Sequence, residues 1–523
     1  MPVQSTRETI QIPDVGIYEF TFGQLDPADE DKVAIIDIAD GTETTYQQLR
    51  SYIESVAGGL SHLGIRSGDV VALHCPNSLA FVVYAHAVWR LGATLTPVSL
   101  LSDEAAITRQ LKDSGARMLV TLAAMGDHGA QAAKAAGLSE EQIHHLDRNS
   151  GMQQMLAERR HAPVGITFDP ATHLAVLPYS SGTTQDPKGV RLSHRNLVAN
   201  VCQAADQDLV TREDVVFGVL PFFHIYGLTA LLNLALKQRA TLVTQPRFEL
   251  GSFLASHERF GVTFTFIAPP IAVLLAKHPQ VEEFDLSSLR AVLSGAAALD
   301  TSLAEAVQER LGVDVYQGFG MTESSPVTHL NLDMSVPRGS IGLPVANTEH
   351  KLVAVESGEE IPLPSNGHSE VGELWVHGPQ VMLGYLNRDR ETAETLVDGD
   401  WLRTGDLAVQ DPEGNVYVVD RLKEVIKYKG YQVAPAELEA LLLTHPEVAD
   451  SAVIGVAGED GLEIPKGFVV LQQNATATAE DIMAYVAEQV PSYKKVRAIE
   501  FIDAIPKSST GKILRRVLRD RED

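Results

Sequence analysis

Residues 179–190 read Tyr-Ser-Ser-Gly-Thr-Thr-Gln-Asp-Pro-Lys-Gly-Val. The types in this run suit a polyphosphate. Hydroxyls and backbone N–H groups can donate to phosphate oxygens, Gly182 and Gly189 allow close approach, and Lys188 adds positive charge. The order is not that of a Walker loop, because Lys188 precedes Gly189 rather than following it. A polar surface turn has a similar composition, so this loop alone leaves both readings open.

Four further segments narrow the choice. Residues 316–323 read Tyr-Gln-Gly-Phe-Gly-Met-Thr-Glu, and 401–407 read Trp-Leu-Arg-Thr-Gly-Asp-Leu. Residues 420–432 read Asp-Arg-Leu-Lys-Glu-Val-Ile-Lys-Tyr-Lys-Gly-Tyr-Gln, and 506–513 read Pro-Lys-Ser-Ser-Thr-Gly-Lys-Ile. In this order the segments resemble the adenylate-forming superfamily of acyl-CoA synthetases, peptide-synthetase adenylation domains and firefly luciferases. The resemblance covers nearly the whole chain from about Thr45. It is closest to the 4-coumarate–CoA ligase-like branch, through Pro221-Phe222-Phe223-His224-Ile225-Tyr226-Gly227, Ser294-Gly295-Ala296-Ala297 and the run that continues from Gln432 to Glu437.

The chemistry this implies begins with an unreactive carboxylate. Attack on the α-phosphate of ATP releases pyrophosphate and makes an acyl-adenylate, and a thiol then displaces AMP. Bringing two anions together requires positioned cations. The resemblance implies that Ser180, Ser181, Gly182, Thr183, Thr184 and Lys188 enclose the β- and γ-phosphates. It implies that Thr322 meets the α-phosphate, Glu323 holds Mg²⁺, and Gln317 and Gly318 flank the adenine. It assigns the ribose hydroxyls to Asp406, with Arg421 in support, and the adenylation step to Lys512. His224 resembles a gate between the adenylate and the acid or thiol channel. Lys423 resembles a hinge about which the C-terminal domain turns, bringing in Lys427 and Gln432 for catalysis and Lys429 and Gly430 along CoA. ATP, Mg²⁺ and CoA are thus the expected cofactors and co-substrates. Acetylation of Lys512 by a lysine acetyltransferase is a further expectation, because it would neutralise the cation the first step needs.

The acyl pocket is expected to be lined by Tyr226, Ala230, Leu293, Ala296, Gly320 and Val327. In hydroxycinnamate-activating relatives a basic residue and a serine near these positions bind the ring hydroxyl; here Leu293 and Ala230 stand there, and Ala298 replaces a proline. A hydroxyl facing Leu and Ala would lose hydrogen bonds at a cost of about 1–3 kcal/mol. The expected substrate is therefore an acid with an apolar tail, cinnamate-like or medium-chain aliphatic.

These residues must be held by a scaffold, and its class is legible in the patterning. Short apolar runs at Val33–Ile38, Val70–His74, Leu174–Leu177, Val262–Ala268 and Ala291–Leu293 predict buried strands. They alternate with helical patterns such as Thr45–Leu63, where Leu49, Ile53, Val56 and Leu60 share a face, and a helix capped by Ser193 that carries Leu197, Val201 and Ala204. From about 341 the texture becomes β-rich, with Lys351–Val355, Gly372–His377 and Val416–Val419 between Gly/Pro/Asn/Asp turns. Past Arg421, Pro435 opens a helix, Ala452–Val456 reads as a strand and Ala479–Gln489 as a second helix. The fold class is α/β. It comprises an N-terminal domain over 1–422, with α/β subdomains at about 1–170 and 171–340 and a β-barrel or sandwich at 341–422, then a mobile α+β domain over 423–523.

Composition excludes other classes. The chain has 523 residues, 45% of them apolar, and a net charge of −26. Such a field disfavours nucleic acid and anionic membranes as general partners and requires a locally basic pocket for anionic substrates. Two cysteines, Cys75 and Cys202, exclude a disulfide framework or a multi-cysteine metal site. The N-terminal residues lack an apolar h-region, no apolar run has membrane-spanning length, and Arg521-Glu522-Asp523 is not a peroxisomal address, so a cytoplasmic location is expected. Three rival readings are a carrier-loading adenylation enzyme, although no carrier domain is expected after Ile513, a luciferase-like oxygenase and a nonenzymatic nucleotide-binding scaffold.

Overall fold

The computed structural model describes residues 2–147, 151–180, 187–332, 336–428, 431–458, 463–472, 475–508 and 512–522, without the side chain of Gln432. Two mainly parallel sheets form the bulk of the N-terminal domain. One has six strands, in the order Leu192–Ser193, Leu174–Val176, Thr94–Pro97, Val70–His74, Met118–Thr121 and Ile143–His145. The other has nine, centred on Ala291–Ser294, Phe264–Ile267, Val215–Gly218 and Thr241–Thr244. All four of these strands are buried along their whole length or all but one residue. Strands covered on both faces read as continuous apolar runs rather than as alternation.

The helices between them follow the expected signals. Tyr46–His62 begins at Thr45, which with Gln48 forms a capping box, and it buries Leu49, Ile53, Val56 and Leu60. His194–Ala205 begins at Ser193, whose side chain accepts from the Asn196 N–H. Each cap satisfies an otherwise orphaned donor, which fixes where the helix starts.

The sheets do not divide at residue 170. Val33–Asp37 and Thr42–Thr45 close one edge of the nine-stranded sheet, with Ile35 opposite Leu242, while Leu174–Val176 and Leu192–Ser193 belong to the six-stranded one. An apolar pattern announces a strand but does not say which sheet will bury it, and here the two sheets exchange segments. The β-rich region is a seven-stranded sheet that includes Gly372–His377, Trp401–Gln410 and Val416–Arg421 and recruits Val3–Gln4 from the chain start.

The C-terminal region has its own core. Strands Val448–Ala457, Glu463–Leu471 and Ala498–Phe501 form a sheet, and a hairpin pairs Ile426–Tyr428 with Tyr431–Val433. Helix Pro435–Leu443, with proline in its first turn, buries Leu438 and Leu442. Among the described residues no helix is long and apolar enough to cross a membrane, and both cysteines are free.

Candidate active site

The chain turns toward one place at the carboxyl ends of several strands, where α/β sheets generally bind ligands. Tyr179 and Ser180 follow Leu174–Val176, Phe223 and His224 follow Val215–Gly218, Ala296 follows Ala291–Ser294, and Thr322 and Glu323 follow Asp314–Gly320. All of them line a single cavity of about 950 Å³. Two glycines make these turns possible. A Cβ on Gly320 would lie 2.1 Å from the Pro326 carbonyl oxygen, and one on Gly227 would lie 2.2 Å from that of Pro221. Ala296 has φ +71, a left-handed conformation costly for alanine, at the wall of the site.

The charge of the cavity inverts that of the chain. Its lining carries Arg109, Lys112, Arg388, Arg421, Lys507 and Lys512 against Asp113 and Glu323, in a protein with 42 basic and 68 acidic residues. An anionic substrate finds counter-charges here despite the acidic chain.

On one wall stands Glu323, buried, with Ser180 Oγ donating to its Oε1 at 3.4 Å and the Tyr385 hydroxyl donating to the same oxygen at 2.9 Å. Burial, then the Glu323 charge, pushes the Tyr385 phenol well above its ordinary range, so it remains a donor. Lys188 pairs across from Ser180, and its Nζ lies 4.7 Å from the centre of the Tyr385 ring. No group of three or more His, Cys, Asp or Glu among the described residues could hold a metal by itself. A single buried carboxylate facing a cavity fits Mg²⁺, which takes one or two carboxylates and fills its shell with water and substrate phosphates.

Arg421 lines the cavity, and strand pairing sets Asp406 across from it, outside the lining, with Arg421 Nε 2.8 Å from Asp406 Oδ1. Asp406 is buried and its Oδ2 has no hydrogen-bond partner. Buried polar atoms are normally paired, and this oxygen is one of several buried side-chain atoms among the described residues that are not. Burial raises its carboxyl above the usual range, and Arg421 and Lys512 draw it back. Lys512 reaches the cavity from the C-terminal domain, where the Ser508 N–H donates to the Lys512 carbonyl at 2.8 Å and the Leu514 N–H to the Pro506 carbonyl at 2.8 Å. Burial and then Arg421 pull the Lys512 ammonium below its ordinary value, against Glu424 and Asp406.

His224 separates two spaces. It lines the large cavity and also a small apolar one of about 50 Å³ behind it. Burial, and then the Lys512 charge, pushes the imidazole down to about 4, so the ring is neutral at physiological pH. Its Nδ1 accepts from the Tyr226 N–H at 3.4 Å. Tyr226, Ala230, Leu293, Ala296, Gly320 and Val327 all line the small cavity, and the Tyr226 hydroxyl donates to the Leu293 carbonyl at 3.2 Å. Tyr226 and Ala230 project from a π-helical stretch, Tyr226–Asn233, a geometry often met at functional sites.

Comparison with known proteins agrees with this arrangement. Residues 26–386 match the family model of the AMP-binding enzyme, and 437–512 match that of the AMP-binding enzyme C-terminal domain. The chain belongs to the AMP-binding enzymes. It is 39% identical over 502 residues to 4-coumarate–CoA ligase 1 of Petroselinum crispum, covering 94% of this chain and 91% of the relative. Among solved structures, an anthranilate CoA ligase in complex with anthranoyl-AMP superposes with a TM-score of 0.89 at 26% identity, covering 98% of both chains. ATP-bound MatB from Rhodopseudomonas palustris gives 0.88 at 27% identity over 97% of this chain and 99% of that one, and apo MatB gives 0.77. The chain is thus an AMP-forming acid–CoA ligase of the adenylate-forming superfamily, using ATP and CoA.

Within this AMP-binding enzyme, not every expected residue meets in the large cavity: Asp406, paired with Arg421, and Lys188, beside the Tyr385 ring, are not in its lining. Gln317 lines a separate small cavity, where its Oε1 accepts from the Leu299 N–H at 3.3 Å, and Gly318 lines the apolar cavity. Lys423 lies exposed in the turn after Val416–Arg421, and Lys427 lies exposed on the C-terminal hairpin, opposite Gln432 in register. Ser181, Gly182, Thr183, Thr184, Lys429 and Gly430 lie outside the described residues. Sequence reading missed Tyr385, Lys507 and the face of helix Glu104–Ser114 that presents Ala106, Arg109, Gln110 and Asp113 to the cavity. The helix was legible in principle, since those positions follow a helical period, but its polar face gave no sign of a ligand.

Proposed function

We propose that this ligase activates a carboxylic acid with an apolar tail, cinnamate-like or medium-chain aliphatic, through an acyl-adenylate held between Glu323 and Lys512. The observation that carries the reading is the meeting of Ser180, Thr322, Glu323, Arg421 and Lys512 in one cavity, with an apolar cavity behind His224. Ser180 and Lys188, at the stems of the loop, bind the distal phosphates of ATP. Glu323 would hold Mg²⁺, which supplies neutralisation of the phosphate charge. The unpartnered Asp406 Oδ2 accepts from the ribose, and Gln317 and Gly318 flank the adenine. Lys512 bridges the acid and the α-phosphate as a carboxylate oxygen bonds to the α-phosphorus and pyrophosphate leaves. The likeness to an ATP-bound relative supports this reading of the Lys512 loop.

The second half-reaction requires another face of the C-terminal domain. A turn about Lys423 would withdraw Lys512 and bring Lys427, Lys429, Gly430 and Gln432 to the CoA thiol, which attacks the acyl carbon and expels AMP. The tail preference follows from the lining of the small cavity. Apart from His224 its only polar side chain is Tyr226, and that hydroxyl is already committed to Leu293. A phenolic hydroxyl there would go unpaired. The test is AMP and pyrophosphate release over a panel of acids, with and without CoA. Cinnamate is expected to exceed 4-coumarate by roughly 5- to 150-fold in kcat/KM, the equivalent of about 1–3 kcal/mol. Faster turnover of 4-coumarate would overturn the tail assignment. Pyrophosphate release that never requires CoA would favour a carrier-dependent adenylation enzyme.

A further inference from the structure

Tyr385 stands 62 residues from Glu323 in sequence, yet its hydroxyl is the shortest hydrogen bond to that carboxylate, at 2.9 Å. It is buried, and its place is fixed from outside the site, since its N–H donates to Thr392 Oγ1 at 2.9 Å and the Met382 N–H donates to the Glu323 carbonyl at 2.8 Å. The other face of the same ring lies under Lys188 Nζ, at 4.7 Å. One aromatic side chain therefore touches the buried acid through its hydroxyl and a stem of the phosphate loop through its ring. Both hydroxyls that reach Glu323, from Ser180 and Tyr385, converge on Oε1; among the described residues none donates to Oε2. A carboxylate held by one oxygen keeps the other for a ligand.

We propose that Tyr385 is a positioning residue for the metal-bound nucleotide: its hydroxyl fixes Glu323 so that Oε2 is available to Mg²⁺, and its ring holds Lys188 toward the phosphates. The inference rests on the metal role proposed for Glu323. Ser180 alone is too distant to fix the carboxylate, because hydrogen bonds weaken steeply with length. A cation over a ring keeps its donors free for a second partner, which an ion pair would occupy.

The test titrates the full-length protein with a nonhydrolysable ATP analogue by calorimetry, with and without Mg²⁺, and follows ATP–pyrophosphate exchange against Mg²⁺ concentration. Tyr385→Phe deletes only the hydroxyl. It is expected to raise the Mg²⁺ needed for half-maximal analogue binding about tenfold and to leave metal-free binding unchanged. Tyr385→Leu also removes the platform for Lys188 and is expected to weaken metal-free binding as well. Equal losses with and without Mg²⁺ in Tyr385→Phe would reduce the residue to a structural one and overturn the inference. Glu323→Gln separates the two levels. If it keeps the wild-type Mg²⁺ dependence, the metal role of Glu323 fails and the inference with it. If Glu323→Gln loses that dependence and Tyr385→Phe does not, only the inference fails.

Discussion

Two lysine-bearing hairpins of the C-terminal domain face opposite surroundings. The loop that carries Lys512 enters the cavity and is pinned around its base. Lys507 donates to Asp450 Oδ2 at 2.6 Å, and Ile513 packs against the core of Ala452, Ile454, Phe468, Ile505 and Leu518. Arg515 pairs with both Glu424 and Glu439. The hairpin that carries Lys427 is exposed at that lysine, whose N–H donates to Glu463 Oε2 at 2.7 Å. The same residue type thus stands in two dielectric settings. Lys512 has lost hydration and leans on Asp406 and Glu424 for compensation, which makes its charge strong in the cavity and expensive to keep there. Lys427 keeps its water and lies outside the cavity lining, so the role proposed for it requires the proposed turn of the domain. The contrast teaches that one small domain holds one lysine desolvated in the cavity and another in water, which is what the proposed division of the two half-reactions between them needs.

The largest expected effect breaks this comparison if it is wrong. Lys512→Ala is expected to slow pyrophosphate release by roughly 10²- to 10³-fold, the range for removing one positioned electrostatic group. Thioester formation from a supplied acyl-adenylate would stay near wild type. Lys427→Ala is expected to show the reverse pattern. Single-turnover measurements in which both variants slow the same step would end the division of labour.

A smaller effect sharpens it. Asp450→Asn removes the ion pair at the base of the Lys512 loop and is expected to slow adenylation by up to about fivefold, in line with a part-exposed pair, while leaving the thioester step unchanged. Rapid-quench kinetics on each half-reaction would show whether the loop is preorganised by this pair or by its apolar contacts alone.

The smallest effect concerns pH. Because burial lowers the Lys512 pKa, kcat/KM for adenylation is expected to fall on the alkaline side earlier than an ordinary lysine near 10.4 would cause. The loss appears as pH rises through the lowered value, since the required form is the protonated one. A pH profile of the thioester step from supplied adenylate would lack this limb; the same limb in both would mean that another group titrates.

Much of the site was legible because the chemistry demands rare types at fixed positions. Glu323 follows a strand end in a Gly- and Thr-rich run, Lys512 follows a Ser/Thr/Gly run, and Asp406 lies inside strand Trp401–Gln410 directly after Gly405, so residue types rather than one kind of turn marked them. Tyr385 was illegible. It sits in Gly384-Tyr385-Leu386-Asn387-Arg388, a turn with no spacing relation to Glu323, and only the packing of that turn against the loop stems brings its hydroxyl within 2.9 Å. The boundary near residue 170 failed for a related reason, since Val33–Asp37 finds its parallel partner at Thr241–Thr244, far along the chain.

The sequence by itself determined the local elements, through caps such as Thr45 and Ser193 and through apolar runs that admit only buried strands, and it determined the reactive groups, because adenylation needs cations, hydroxyls and an acid that no other types replace. Tertiary structure alone decided which sheet each strand joined, that Glu323 Oε1 was held from a distant turn, that Asp406 Oδ2 was left without a partner, and that Lys512 rather than Lys427 entered the cavity. Those outcomes depend on long-range packing and on the loss of solvent around particular atoms. Neither quantity is written in residue order.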